Sequence, residues 1–361
     1  MPGPSPQELV ERALECSRSD HCIAVARTST SANLRWANNT LTTNGVMHGL
    51  EVSVIAFRGL ANASVSGTAA SIEQVSELVQ AADLAAEQAD PAEDLAELVT
   101  ASASADWDQP PGDTSIEVYE GFARDLGEAF ESSEKQARVL YGFINHEVTT
   151  TYLGSSTGLR LRHEQPTGHY ACTGKTADLT NSAWVGGATR DFADVDANQM
   201  AETLAARLAW GRRRLDLPAG RYDTVLPPTA VADLMVDAYW SAGARLAFEG
   251  QSVYSRPQGG TRIGERIVKP GVALFSDPSY AGLQAAPFVV DTSSSNTSSV
   301  YDNGLPLSRT DWVKGGTLTA LIQTRHTAAM TEQPVTPGVD NLVLDIDGAS
   351  GSEMDLVGSV D

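Results

Sequence analysis

The chain has 361 residues and 42% hydrophobic content, enough for two domains of ordinary size with real cores. Its formal charge is −21 and its lysines are confined to Lys135, Lys175, Lys269 and Lys314, so a phosphate backbone is repelled and direct nucleic-acid binding is disfavoured. Apolar runs such as Val54–Phe57 and Phe288–Val290 are far shorter than the ~20 residues a membrane span needs, and Met1–Glu15 lacks the basic-then-apolar pattern of a secretion signal.

A cytoplasmic protein is therefore expected. Cys16, Cys22 and Cys172 form no CxxC pair, and the three are read as reduced, small, buried residues.

The first helix starts at Ser5-Pro6-Gln7-Glu8: a Ser cap, Pro at the first helical position and an acid three residues after the cap. Leu9, Val10, Ala13 and Leu14 carry its apolar spacing to about Ser17. Short strands are predicted at Cys22–Ala26, Leu34–Ala37 and Leu50–Phe57, with Gly45 and Gly49 as turns. Ser71-Ile72-Glu73-Gln74 opens a second helix, to about Gln88. Ala101–Thr114 is small, polar and Pro-rich, and is read as a loop or linker.

A third helix is predicted over Ile116–Gln136, with Val118, Phe122, Leu126 and Phe130 at four-residue steps. Val139–Lys175 reads as a β-meander punctuated by Gly154, Gly158 and Gly168. A fourth helix covers Asp196–Arg213, and Arg212, Arg213 and Arg214 read as its cationic end.

Beyond Leu217-Pro218 a strand is predicted at Tyr222–Leu226, stopped by Pro227-Pro228. Thr229 would cap a helix from Ala230 to Phe248, with Val231, Leu234, Met235 and Ala238 on one face and Asp233 and Asp237 opposite. Asp291–Asn303 is Ser-rich and is expected to be a mobile loop. Arg309–Val313 and Thr317–Gln323 flank Lys314-Gly315-Gly316 as a hairpin, and a last strand covers Asn341–Ile346. The reading is an α+β protein of two domains, residues 1–216 and a β-rich 217–361, with 101–114 linker-like.

The ordered blocks "GLEVSVIAFRGLANAS", "RYDTVLPPTAVADLMVDAYW", "GERIVKPGVALFSDPS" and "DNGLPLSRTDWVKGGTLTALIQTR" resemble the TldD/TldE (PmbA) family of zinc-peptidase-related proteins. The resemblance implies that zinc-carrying members hold an HExxxH motif on the helix after "YDTVL". Overlaid here, that motif falls on Val236, Asp237, Ala238, Tyr239, Trp240 and Ser241, with no histidine. The chain resembles the TldE-type subunit, so no catalytic, cofactor or metal residue is assigned to it. Asp237 takes the place of the general-base Glu and is read as a solvated helix face; Tyr239 and Trp240 are read as core or interface.

Family members usually continue for several dozen residues past Asp361, and in the zinc members that part supplies a cysteine ligand. A truncated chain of poor solubility is accordingly expected.

A catalytic zinc needs three protein ligands and an open position. The histidines are His21, His48, His146, His163, His169 and His326. His146-Glu147 continues into Thr150 and Thr151. His163 and His169 lie six residues apart, about 120° off a shared helical face or about 20 Å apart in a strand. There is no GxSxG elbow or P-loop, and "GSSTG" (154–158) and "VGGATR" (185–190) read as glycine turns. Gly264-Glu265-Arg266-Ile267 is structural, an exposed ion pair at most.

By the resemblance, a TldD-type partner would carry the zinc and the base. The pair would enclose a chamber for short or unfolded peptides, with strand edges of this chain pairing with the peptide backbone. The alternative is a non-enzymatic regulatory or scaffold protein that keeps the peptidase-like fold.

Overall fold

A computed structural model describes residues 3–101, 103–212 and 215–360. In chain order it contains α1 (Pro6–Cys16), β1 (His21–Ala37), β2 (Thr40–Arg58), β3 (Ala61–Gly67), α2 (Ile72–Gln88), α3 (Glu120–Lys135), β4 (Arg138–Ser155), β5 (Arg160–Thr176), β6 (Ser182–Thr189) and α4 (Ala197–Trp210). There follow α5 (Pro228–Trp240), α6 (Ala244–Phe248), β7 (Val272–Ser276), β8 (Thr310–Lys314), β9 (Thr317–Leu318), α7 (Arg325–Thr331), β10 (Val343–Ile346) and α8 (Glu353–Val357). The fold is α+β, with a six-stranded antiparallel sheet β3-β2-β1-β4-β5-β6 and a four-stranded sheet β10-β7-β8-β9.

The Ser5 hydroxyl accepts from the Glu8 amide while the Glu8 carboxylate accepts from the Ser5 amide, so the predicted capping box forms. At Ser71 only half of that motif appears. Ser71 caps the Gln74 amide, but the Gln74 side chain reaches past it to the Ala70 amide. A single turn of 3-10 helix, Ile116–Tyr119, precedes α3.

The predicted short strands are pieces of two long ones. Gly45 and Gly49 are not turns; they lie inside β2, opposite Asn33 and Ser29. The reversal sits at Asn38-Asn39, with φ of 50° and 57°, the left-handed pair of a two-residue hairpin that asparagine tolerates. Asn39 also locks the next strand, accepting from the Leu140 amide at 2.7 Å and donating to the Arg138 carbonyl at 3.0 Å. Gly154 and Gly168 likewise fall within β4 and β5, and only Gly158, at φ +100°, makes the turn between them. "VGGATR" is mostly strand β6.

The two faces of the six-stranded sheet differ. Cys22, Ala24 and Ala26 of β1 pack under α1 and α2; Ala32, Leu34 and Trp36, farther along the same face, pack under α3 and α4. The described residues of 101–114 hold no helix or strand but are pinned to the sheet. Trp107 joins the α1–α2 core, edge-on to Tyr152 at 5.6 Å, and the Gly112 amide donates to Thr150. On the opposite face Ile23, Val25, Ile55, Phe57, Leu153 and Leu159 pack against Val300 and Tyr301. Burial pushes the Cys22 and Cys172 thiols up to about 12, consistent with inert packing residues.

In the second half, Tyr222–Leu226 is not a strand. No described strand pairs with it, and Tyr222 and Leu226 are half-exposed. The helix expected over 230–248 is two helices. The chain leaves the first to pair with Ile322: the Ala244 amide donates to the Ile322 carbonyl and the Ile322 amide to the Ala242 carbonyl. Gly243 allows this crossing, because a Cβ there would stand 2.8 Å from Thr297. Pro227, not Thr229, is the cap position of α5. The apolar face is only partly covered: Leu234 is exposed, Val231, Met235 and Ala238 are half-buried, and no residue of α5 is fully buried.

The Ser-rich stretch 291–303 is packed. Ser294 and Ser299 both donate to Asp94 at 2.6 Å, and Tyr301 packs tilted against Phe57 at 5.1 Å. The hairpin forms at Gly315-Gly316 with φ of 56° and 85°, although β9 stops at Leu318 and does not run to Gln323. Glu265 pairs with Arg256 and Arg262 and not with the adjacent Arg266. Arg213 and Arg214 lie outside the described residues.

Candidate functional site: a cleft between sheet and loops

The polar half of the large sheet's outer face forms the floor of a cleft of about 600 Å³. Cross-strand register sets the floor residues in rows. Arg27, Thr151 and His163 form one row, and Thr149 and Gln165 stand in the next. The walls are the segments 284–291, 297–302 and 337–340, with Tyr239 and Trp240 of α5 at one end. The floor is a sheet face and not a strand edge, so it offers side-chain hydroxyls and amides where free backbone groups had been expected.

The walls are braced by buried hydrogen bonds. Asp302, 2% exposed, accepts from Arg325 Nε at 2.6 Å and from the Arg325 amide at 3.1 Å. Arg325 also donates to the Glu97 and Tyr301 carbonyls, tying this wall to the flank of the first sheet. Asn303 is fully buried; its side chain accepts from the Asp291 amide and donates to the carbonyls of Asp291 and Val300. Gly304, at φ +86°, presses against the sheet, and a Cβ there would lie 2.6 Å from Leu159 Cδ1. On the other wall the Asn341 side chain accepts from the Asp277 amide and donates to the carbonyls of Asp277 and Leu283.

Tyr239 is half-buried, tilted against Trp312 at 5.1 Å. Its hydroxyl donates to the Val339 carbonyl at 3.1 Å and accepts from the Val339 amide at 2.8 Å, fastening α5 to the 337–340 wall. Burial pushes this phenol up to about 12. Trp240, by contrast, is 74% exposed at the cleft mouth and fills no core. Burial also pushes the Asp291 carboxyl from 3.8 up to about 7, opposed in part by Arg27.

The histidines do not converge. His146 is buried in β4; its Nε2–H donates to the Arg190 carbonyl at 2.8 Å, which leaves Nδ1 to accept from the Thr114 hydroxyl at 2.7 Å. His163 lines the cleft beside Gln165, and His169 lies along the same continuous strand against Phe143. His48 meets Thr30 on β1, His21 meets Ser156 in the β4–β5 turn, and His326 sits in α7.

A catalytic zinc does not fit the α5 positions: Val236 and Ser241 offer no imidazole, and Asp237 is exposed. Among the described residues, no three His, Cys, Asp or Glu are placed to share a metal.

Residues 219–354 match the PmbA/TldA metallopeptidase C-terminal domain. Those residues therefore carry a domain of the PmbA/TldA type. The whole fold is also similar to that of TldE from Thermococcus kodakarensis, at 15% identity and a TM-score of 0.74, covering 98% of this chain and 80% of that one. A proposed modulator of DNA gyrase from Bacteroides thetaiotaomicron is similar at 12% identity and a TM-score of 0.73, covering 99% and 79%. A third structure, a proposed DNA gyrase modulator from Thermotoga maritima, is similar at 16% identity and a TM-score of 0.67, covering 91% and 73%. No curated protein matches the chain. Among the described residues, no helix is long and apolar enough to cross a membrane.

Arg27, Thr149, Thr151 and Asp291 were not singled out from sequence. Arg27, Ser29, Ser31, Asn33 and Arg35 at every second position of β1 did carry the signal of a polar sheet face, although Thr28 and Thr30 blur the alternation. Which part of that face is roofed is decided by segments more than 100 residues away.

Proposed function

We propose that this chain is the non-zinc subunit of a TldD/TldE-type cytoplasmic peptidase. A TldD-type partner supplies the zinc and the general-base carboxylate, and the cleft of this chain receives a short or unfolded peptide. The observation that carries this reading is a roofed cleft lined by hydroxyls and amides, ending at the helix whose zinc positions hold Val236, Asp237 and Ser241. Thr149, Thr151, Gln165 and Thr167 can satisfy a peptide backbone without selecting side chains, as a general peptidase requires. A half-enclosed space of about 600 Å³ has room for a short extended peptide but not for a folded protein.

The test is to purify the chain by a tag, with and without a co-expressed TldD-type subunit, and to measure bound zinc and peptide hydrolysis. Both are expected only with the partner, and both should vanish when the partner's HExxxH histidines are replaced. Stoichiometric zinc and hydrolysis from the isolated chain would refute the reading.

A further inference from the structure

We propose that Arg27 is a carboxylate-binding site on the cleft floor, holding a carboxylate of the bound peptide. This rests on the reading that a peptide occupies the cleft.

Arg27 is the only Arg or Lys among the described residues that line the cleft. It projects from the middle of the sheet, between Glu51 on β2 and Thr151 on β4, with His163 one strand farther at roughly 10 Å. Other arginines at comparable depth are taken. Arg160 pairs with Glu11, Arg162 with Asp106 and Glu164, and Arg325 with Asp302. Arg27 makes no hydrogen bond or ion pair with any described residue, even with Glu51 directly across the ladder. In a chain with 46 acidic and 25 basic residues, an arginine left unpaired in a half-enclosed space is a donor set without an acceptor.

The planar guanidinium matches a carboxylate with two parallel N–H···O bonds, and Thr151, its partner across the ladder, adds a hydroxyl in the same row. Asp291 is the acid in the cleft that interacts with Arg27, and burial raises its carboxyl to about 7, so its hold on Arg27 weakens as pH falls below 7. The field of the whole molecule, at −21, repels an anionic peptide, so any preference for one must come from a local site.

Calorimetric titration of the full chain tests this with three probes: acetyl-pentaalanine as free acid, its C-terminal amide, and the amide with Glu at the central position. The free acid is expected to bind at least ~10-fold tighter than the amide, one charge-assisted bidentate pair being worth about 1.4 kcal/mol or more. Arg27→Gln should reduce the free acid to the affinity of the amide and leave the amide unchanged. Arg27→Lys should keep part of the preference, as a point charge without the fork. The Glu peptide separates the two carboxylate sources. Binding like the free acid means any carboxylate is taken, and binding like the plain amide means the chain end is read.

Equal binding of acid and amide to the unmodified chain, or a preference that survives Arg27→Gln, overturns the assignment while the peptide cleft stands. Failure of all three probes to bind overturns the cleft reading and the Arg27 site with it.

Discussion

Replacing Asp302 by Ala removes the carboxylate that holds Arg325 under the cleft wall. The pair is unequal in exposure, with side chains 3% and 27% exposed for Asp302 and Arg325. Breaking a fully buried pair from one side costs about 3–5 kcal/mol, because the remaining charge is stranded. Arg325 can recover some water and keeps its bond to the Glu97 carbonyl at 2.9 Å, so the cost here is reduced to about 2–3 kcal/mol. For a protein of this length each kcal/mol lowers the melting temperature by about 2 °C, giving a fall of about 4–6 °C.

Urea unfolding and thermal melting of Asp302→Ala, Arg325→Ala and the double variant would measure the coupling, expected at about 2 kcal/mol. The exposed Glu131–Lys135 pair, with both side chains 76% exposed, serves as control: Glu131→Ala should leave the melt unchanged. If Asp302→Ala melts like Glu131→Ala, the wall is not held by this pair and the bracing argument is wrong.

Two further substitutions test the packing of the same wall. The Asp291 carboxyl is raised in the folded state, so the folded form holds its proton more tightly than the unfolded one. Its contribution to stability is intact below about 3.8 and is lost as pH rises through about 7. Asp291→Asn should therefore stabilise the chain at pH 8 by about 1–2 kcal/mol, after discounting an upper bound of ~4 kcal/mol for partial solvent access. The gain should shrink toward pH 4, and a gain that stays constant across that range in urea titrations would exclude the mechanism. Gly304→Ala combines a φ of +86° with a Cβ 2.6 Å from Cδ1 of the fully buried Leu159, which must shift to admit it. A loss of about 2–4 kcal/mol is expected in chemical unfolding, and a loss below ~1 kcal/mol would mean that the wall and sheet are not in contact there.

The sequence by itself determined those features whose cause is local. Ser5, Pro6 and Glu8 start α1 because the cap satisfies orphan amides within three residues. The four-residue steps of Phe122 and Leu126 bury one side of α3, and Gly315-Gly316 closes its hairpin because glycine accepts positive φ without cost. The α+β class and the missing histidine donors at Val236 and Ser241 were equally legible, since both depend only on residue type and order.

Only the tertiary structure decided the rest. Gly45 and Gly49 read as turns but lie in a strand, because β1 offers them a full ladder of partners. Tyr222–Leu226 has strand composition but no described neighbour to pair with. The 230–248 helix breaks because Ile322, some 80 residues away, pairs with the chain on either side of Gly243. The cleft itself joins Arg27, Thr151 and Asp291 from distant segments. Burial, strand pairing and charge proximity are long-range quantities, and local pattern carries them only after the chain has folded.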